Sequence, residues 1–232
     1  MDNDDKPIGK ILNRREALAA LGLGVGSLLA SRGAAQPNSL PACIVRPALT
    51  EGPYFVDVRL NRSDIRSDPQ TGVVKPGVPL QLRFVVSRVA PGTCTPLAGA
   101  LVDIWQCDAQ GIYSGVVDRF ADTRGQVWLR GQHLTNDQGI AQFTTIYPGW
   151  YPGRTVHIHF KVRYQNRDFT SQLFFDDALS DRILAQPPYA KPGTRTRNAN
   201  DAIFRNGGQQ LLLELTPLGQ GYAATFDIGL NL

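Results

Sequence analysis

The chain has 232 residues, 42% hydrophobic and 19% charged, enough for one domain with a real core and not for two sizeable ones. Its net charge of +4 comes without a Lys/Arg cluster or a basic helix, so nucleic-acid binding has no footing. No stretch is long and apolar enough to hold the chain permanently in a bilayer.

Residues 1–35 read as an address. Lys6, Lys10, Arg14 and Arg15 precede an apolar run from Ala17 to Ala30, and Gly33-Ala34-Ala35 offers small residues for cleavage. The paired arginines in "NRREALAALGLGVG" resemble a twin-arginine export signal, with asparagine where Ser or Thr is usual and Ala17 where Phe is common. The plain alternative is an ordinary secretory signal or a basic N-terminus. Without this segment the net charge is +3. An exported, periplasmic or extracellular location follows, with no membrane association once the signal is removed. There, Cys43, Cys94 and Cys107 permit one disulfide and leave one thiol. Cys94 and Cys107 flank one predicted strand, too far apart to bridge without a bend, so any disulfide should involve Cys43, with Cys94 favoured.

From residue 79 the text is strand-like. "PLQLRFVVSRV" and "ALVDIWQCD" stand either side of a Pro/Gly loop, and "GQVWLRGQHLT" leads through "NDQG" into "IAQFTTIYP" as a second hairpin. "RTVHIHFKVRYQ" with "TSQLFF" makes a third pair, and "QQLLLEL" with "GYAATFDIGL" a fourth. Only 176–186 has helical spacing, with Leu179, Ile183 and Leu184 on one side and Pro187 to stop it. The expected fold is all-β: one antiparallel sandwich from about 77 to 229, with loops and one short helix.

The chemistry concentrates at "YPGWYPGRTVHIHFKV". On a strand His157 and His159 point to one side, while Val156, Ile158 and Phe160 point to the other. Two imidazoles on one face are wet, paired or metallated; a solvated strand face is the bland reading. Imidazoles suit zinc, copper, nickel or iron. No carboxylate lies between 143 and 167, and His133 is the only other histidine. Tyrosines are at hand instead: Tyr147, Tyr151 and, earlier, Tyr113 in "DAQGIYSG". A phenol titrates near ~10 and binds as phenolate at neutral pH only beside a strong cation, such as trivalent iron.

Together, "TEGPYFVD", "VDIWQCDAQGIYSG" and "LRGQHLTNDQGIAQFTTIYPGWYPGRTVHIHFKV" resemble the intradiol ring-cleavage dioxygenases, the family of catechol 1,2- and protocatechuate 3,4-dioxygenase. The likeness to its exported, single-domain type runs from about Thr50 to Gln172 and implies a catalytic domain over 40–232. It implies Fe(3+) held by Tyr113, Tyr151, His157 and His159, with Tyr151 the ligand that substrate displaces and Tyr113 the one that stays. It also implies Arg154 as the active-site arginine, and Tyr54 and Gln172 beside the substrate. The partners implied are a small aromatic diol and O2, and a homo-oligomer stays open. In two respects the sequence departs from the family. The interval from Tyr151 to His157 is shorter than in the protocatechuate enzymes, and the N-terminal helical segment through which the catechol enzymes dimerise is missing. Substrate preference and quaternary structure therefore do not transfer.

Tyr147 is expected to pack or to lie at the site's edge, Trp105 and Trp128 to belong to the core, Asp103 and Asp108 to serve turns or strand edges, and His133 to lie at the surface or behind the site. Two other classes stand beside this reading. One is a zinc metallohydrolase using His157, His159 and a distant ligand. The other is a non-catalytic prealbumin-like binding module, which "PLAGALVDIW" also suits.

Overall fold

Leu80, Leu82, Phe84 and Val86 alternate with Gln81, Arg83 and Val85, and that period of two makes β1 (Pro79–Ala90) a strand with one apolar face. In the computed structural model, which describes residues 44–232, β1 is the hub of one sheet. One edge of β1 pairs antiparallel with β2 (Thr93–Pro96) and, further along, with β5 (Ile140–Ile146). The other edge pairs with β9 (Gly221–Asn231), which β8 (Thr216–Leu218) flanks. The second sheet has the order β4-β3-β6-β7, formed by β3 (Leu101–Trp105), β4 (Arg130–Leu134), β6 (His157–Tyr164) and β7 (Arg167–Phe174). The inner faces meet through aromatic rings: the Phe160 centroid lies 5.4 Å from both Phe84 and Phe226.

The sandwich is all-β, as the sequence implies, with three differences in pairing. β1 and β9 run parallel, because the last strand returns alongside the first instead of hairpinning onto it. β3 and β5 each cross to the opposite sheet from the strand before them, so only β6–β7 forms the long hairpin expected. A Pro/Gly turn marks where a strand ends but not which layer the next one joins. Finally, "QQLLLEL" is not a strand. Left-handed Gly207 (φ 104°) opens a 3₁₀ turn over Gly208–Leu211, which drops Leu211 and Leu213 into the core. The expected helix is α1 (Asp177–Leu184), capped by the Asp176 carboxylate, which accepts from Leu179 N at 2.8 Å. A short second helix, α2, spans Ala202–Arg205.

Residues 44–76 form no long strand. They strap the second sheet from the outside: Leu49 N donates to Thr170 O on β7, and Arg62 N to Gln132 O on β4. Cys94 is disulfide-bonded and Cys107 is a buried free thiol, so these two do not bridge. Residues 1–35 and Cys43 lie outside the described residues. No helix among the described residues is long and apolar enough to cross a membrane.

Candidate metal centre

Three pieces of chain bring the predicted residues together. β6 supplies the imidazoles: His159 sits in register between Trp105 and Gln172, and His157 lies beside Phe174. Trp105 stacks on the His159 ring (centroids 5.0 Å apart, planes at 8°). Gly52 approaches the same ring closely, so that a Cβ there would stand 3.2 Å from His159 Cε1.

Tyr113 follows β3 through a tight turn that Asp108 builds, its Oδ1 accepting from Gln110 N (2.9 Å) and Ile112 N (3.1 Å). Gly111, at φ 84°, has the Trp150 carbonyl where a Cβ would be, 2.1 Å away. That backbone contact joins the Tyr113 turn to the loop carrying Tyr151. Lys191 locks the joint, donating to Gln110 O and Trp150 O, both at 2.5 Å.

The four oxygen and nitrogen donors converge. His157 Nε2 lies 3.0 Å from His159 Nε2, 3.1 Å from Tyr151 Oη and 3.4 Å from Tyr113 Oη. His157 Nδ1 is 2.6 Å from the Thr155 carbonyl, which only accepts, so Nδ1 carries the proton and Nε2 presents a lone pair. One lone pair cannot serve so many neighbours as a hydrogen-bond acceptor. Donors about 2.1 Å from a shared ion and 90–110° apart, however, lie about 3.0–3.4 Å from one another. The spacing fits a metal ion.

Electrostatics agrees. Burial, then the Arg154 charge, lowers His157 to about 3, and burial, then His157, Arg154 and Arg130, holds His159 well below its usual value. Both imidazoles therefore stay neutral, the form that binds metal. Burial raises the Tyr113 and Tyr151 phenols. A cation among them would favour the phenolates.

Arg154 faces the same point with its direction fixed. Its Nε pairs with Asp201 Oδ2 (2.9 Å), Nη2 donates to Gln172 Oε1 (2.5 Å), and Nη1 reaches 3.4 Å from His157 Nε2. Gln172 is held in turn by donating to Thr50 O (2.9 Å). Asp201 also accepts from Thr155 N (2.8 Å) and caps α2 through Ile203 N (2.7 Å). Burial would raise its carboxyl, but Arg154 and these amides hold it below the usual range. Tyr54 stacks on Tyr113 (4.5 Å) and meets Tyr151 edge-on (6.2 Å).

All seven residues singled out in the sequence thus share one site. Tyr147 does not: it is buried against Phe175 and its hydroxyl pairs with Ser180 Oγ (2.7 Å). His133 packs on Phe143, and its Nδ1 accepts from Gln142 N at 3.4 Å. Trp128 is buried with Lys75 over its ring. Trp105 is buried too, but against His159 and not in the core between the sheets. Asp103 is buried beside Arg163 (3.0 Å), and burial pushes its carboxyl up to about 6. Sequence reading missed Asp201, 47 residues from Arg154. Its local signal, an Asp opening "DAIFR", announces only a helix cap.

A family model described as "Dioxygenase" matches residues 50–216. The chain is 32% identical over 175 residues to the protocatechuate 3,4-dioxygenase beta chain of Burkholderia cepacia, covering 71% of each chain. It superposes on an intradiol ring-cleavage dioxygenase from Tetranychus urticae with a TM-score of 0.71 and 32% identity, over 82% of this chain and 95% of that one. The dioxygenase domain of a dioxygenase–carbohydrate-binding protein fusion from Streptomyces sp. SirexAA-E matches with a TM-score of 0.61 and 33% identity, over 82% and 99%.

Proposed function

The chain belongs to the intradiol ring-cleavage dioxygenases, and from that premise we propose that it opens a catechol-type ring between its two hydroxyl-bearing carbons. Both atoms of O2 enter the product, a cis,cis-muconate-type diacid, so diol plus O2 balances the acid without another reductant. The supporting observation is the convergence of two phenols and the neutral His159 imidazole within 3.0–3.4 Å of His157 Nε2. Such a set suits a hard trivalent ion, and Tyr113, Tyr151, His157 and His159 would hold Fe(3+). When bound, the ferric ion supplies a Lewis-acidic seat for both catechol oxygens and makes the ring reactive toward O2.

The chain's own residues do the rest. Tyr151 Oη, as a phenolate, would be placed to take one proton from the incoming diol, while Tyr113 and the two imidazoles would serve only to hold the ion. Tyr54, stacked on Tyr113, offers an aromatic wall. Arg154, fixed by Asp201 and Gln172, turns Nη1 toward the centre and stabilises negative charge as it develops on the ring; a cation already oriented in a dry site is effective because nothing must reorganise.

Metal content, colour and an oxygen electrode with catechol, protocatechuate and hydroxyquinol test this. Phenolate-to-iron charge transfer gives the iron-loaded protein visible absorption, and O2 uptake matches diacid formed one to one. A colourless, zinc-loaded protein that consumes no O2 defeats the reading. Stopped-flow absorbance then separates the tyrosines: Tyr113→Phe loses iron and turnover together, whereas Tyr151→Phe keeps much of its iron and binds catechol slowly. Export rests on the leader "NRREALAALGLGVG"; fractionation before and after Arg14→Lys/Arg15→Lys, which should retain the protein in the cytoplasm, tests it.

A further inference from the structure

Arg130 opens β4 fully buried, at 1% exposed. Its Nε donates to Ser114 O and Ser114 Oγ, both at 3.0 Å, and Nη2 to Ser114 O at 2.6 Å, while Nη1 has no partner among the described residues. Three other buried or half-buried cations on this side of the sheet have a carboxylate, whereas half-buried Arg62 is held by the carbonyls of Ser67, Val127 and Arg130. Lys161 has Glu51, Arg154 has Asp201, and Arg163 has Asp103 and Asp57. Arg130 pairs with no carboxylate among the described residues. Stranding a guanidinium in the interior without an anion is costly, and folds seldom keep one without a use.

The group it faces is Tyr113. The guanidinium carbon lies 6.0 Å from the Tyr113 ring centroid, and Ser114, which holds the guanidinium, is the next residue. Register places Arg130 opposite Trp105 on β3, on the face that carries His159. A guanidinium keeps its proton in proteins, so it is a cation at neutral pH.

We propose that Arg130 is a positioning residue for the metal: a fixed buried cation that balances the charge of Tyr113 as a metal ligand. The positive charge draws electron density away from the Tyr113 oxygen. Tyr113 is thereby held as a weakly basic phenolate, less ready to take a proton from an incoming diol. Arg130 and Arg154 then divide the site, one serving the permanent phenolate and one the reacting ring. This rests on the ferric reading above.

The test uses the iron-loaded Tyr151→Phe protein, in which Tyr113 alone supplies the charge-transfer band. Adding Arg130→Met removes the charge, makes the phenolate a better donor and moves the band to longer wavelength, with a lower ferric/ferrous potential. Arg130→Gln, which keeps a donor for Ser114 O, does the same should the Met variant not fold. Arg130→Lys, which loses the guanidinium fork but keeps the charge, returns the band toward the parent. A band unmoved in a folded, iron-loaded Gln or Met variant overturns the proposal. So does a Lys variant that shifts as far as Gln, because hydrogen-bond geometry and not charge would then be at work. A parent that binds iron without colour overturns the ferric reading itself, and this inference with it.

Discussion

The two faces of β6 are equally buried and chemically opposite. Ile158, Phe160 and Val162 enter the layer between the sheets, while His157, His159 and Lys161 point outward beneath residues 50–57. Inward, burial removes hydrocarbon from water and stabilises the fold in proportion to area. Outward, it strips water from polar groups and returns only part of that in hydrogen bonds. His159 Nδ1, Trp105 Nε1 and Arg130 Nη1 have no partner among the described residues. Burial alone therefore does not tell core from site. Incomplete polar satisfaction does, because a fold selected for stability alone would not seal such groups away.

The sharpest way to break this contrast is to truncate neighbours on opposite faces. Phe160→Ala should cost about 3–5 kcal/mol of stability, with activity surviving in proportion to the folded protein. His159→Ala should abolish turnover and metal binding, yet destabilise the metal-free fold by less than Phe160→Ala, since the imidazole it removes leaves an unpaired nitrogen. Urea unfolding of both metal-free variants, with metal content and O2 uptake on the refolded proteins, decides it. Equal destabilisation would mean that the outer face is simply more core.

A smaller effect comes from behind the arginine. Asp201→Asn keeps an oxygen that caps α2 but removes the charge that orients Arg154. Turnover should fall ~100-fold, the scale of removing one fixed electrostatic stabiliser, while iron content and colour stay as in the parent. The fall should appear in kcat more than in KM. Loss of colour along with turnover would instead place Asp201 in the metal's support.

Local signals made most strands and α1 legible, through alternation and a capping Asp before spaced leucines. The seven converging residues, spread from Tyr54 to Gln172, were legible as a set only through the family resemblance that their separate motifs carry. Legibility failed where distance along the chain entered. Which sheet β3 and β5 join depends on packing between layers, and the parallel β1–β9 pair links residues more than 130 apart. "QQLLLEL" misled because a triple leucine looks alike in a strand and in a buried 3₁₀ turn; only the left-handed Gly207 separates them. The outward polar face also looks, in sequence, like an ordinary wet strand. Nothing local says that residues 50–57, a hundred positions earlier, will cover it.

The gentlest test lies further along that same face, at Asp103. Burial raises its carboxyl to about 6 despite Arg163 at 3.0 Å, whereas an aspartate in the unfolded chain titrates near ~3.9. A folded-state value above the unfolded one means that the folded protein binds the proton more tightly. The ionised group therefore works against folding above about pH 6, and that penalty disappears as the pH falls from about 6 to about 4. Over this window Asp103 should add roughly 1–3 kcal/mol to stability, before the depressed carboxylates such as Asp64 and Asp181 begin to lose their pairs at lower pH. His157 and His159, held neutral in the fold, lose stability over the same window, so Asp103 partly offsets a net fall, and Asp103→Asn should make that fall between pH 6 and 4 steeper than in the parent. Arg163 retains Asp57 (3.3 Å), so the substitution does not strand a cation. Denaturant midpoints at half-unit pH steps measure the slope. A parent and an Asp103→Asn variant with the same slope across that window would show that Arg163 outweighs burial, and that the outer face is better satisfied than its orphaned atoms suggest.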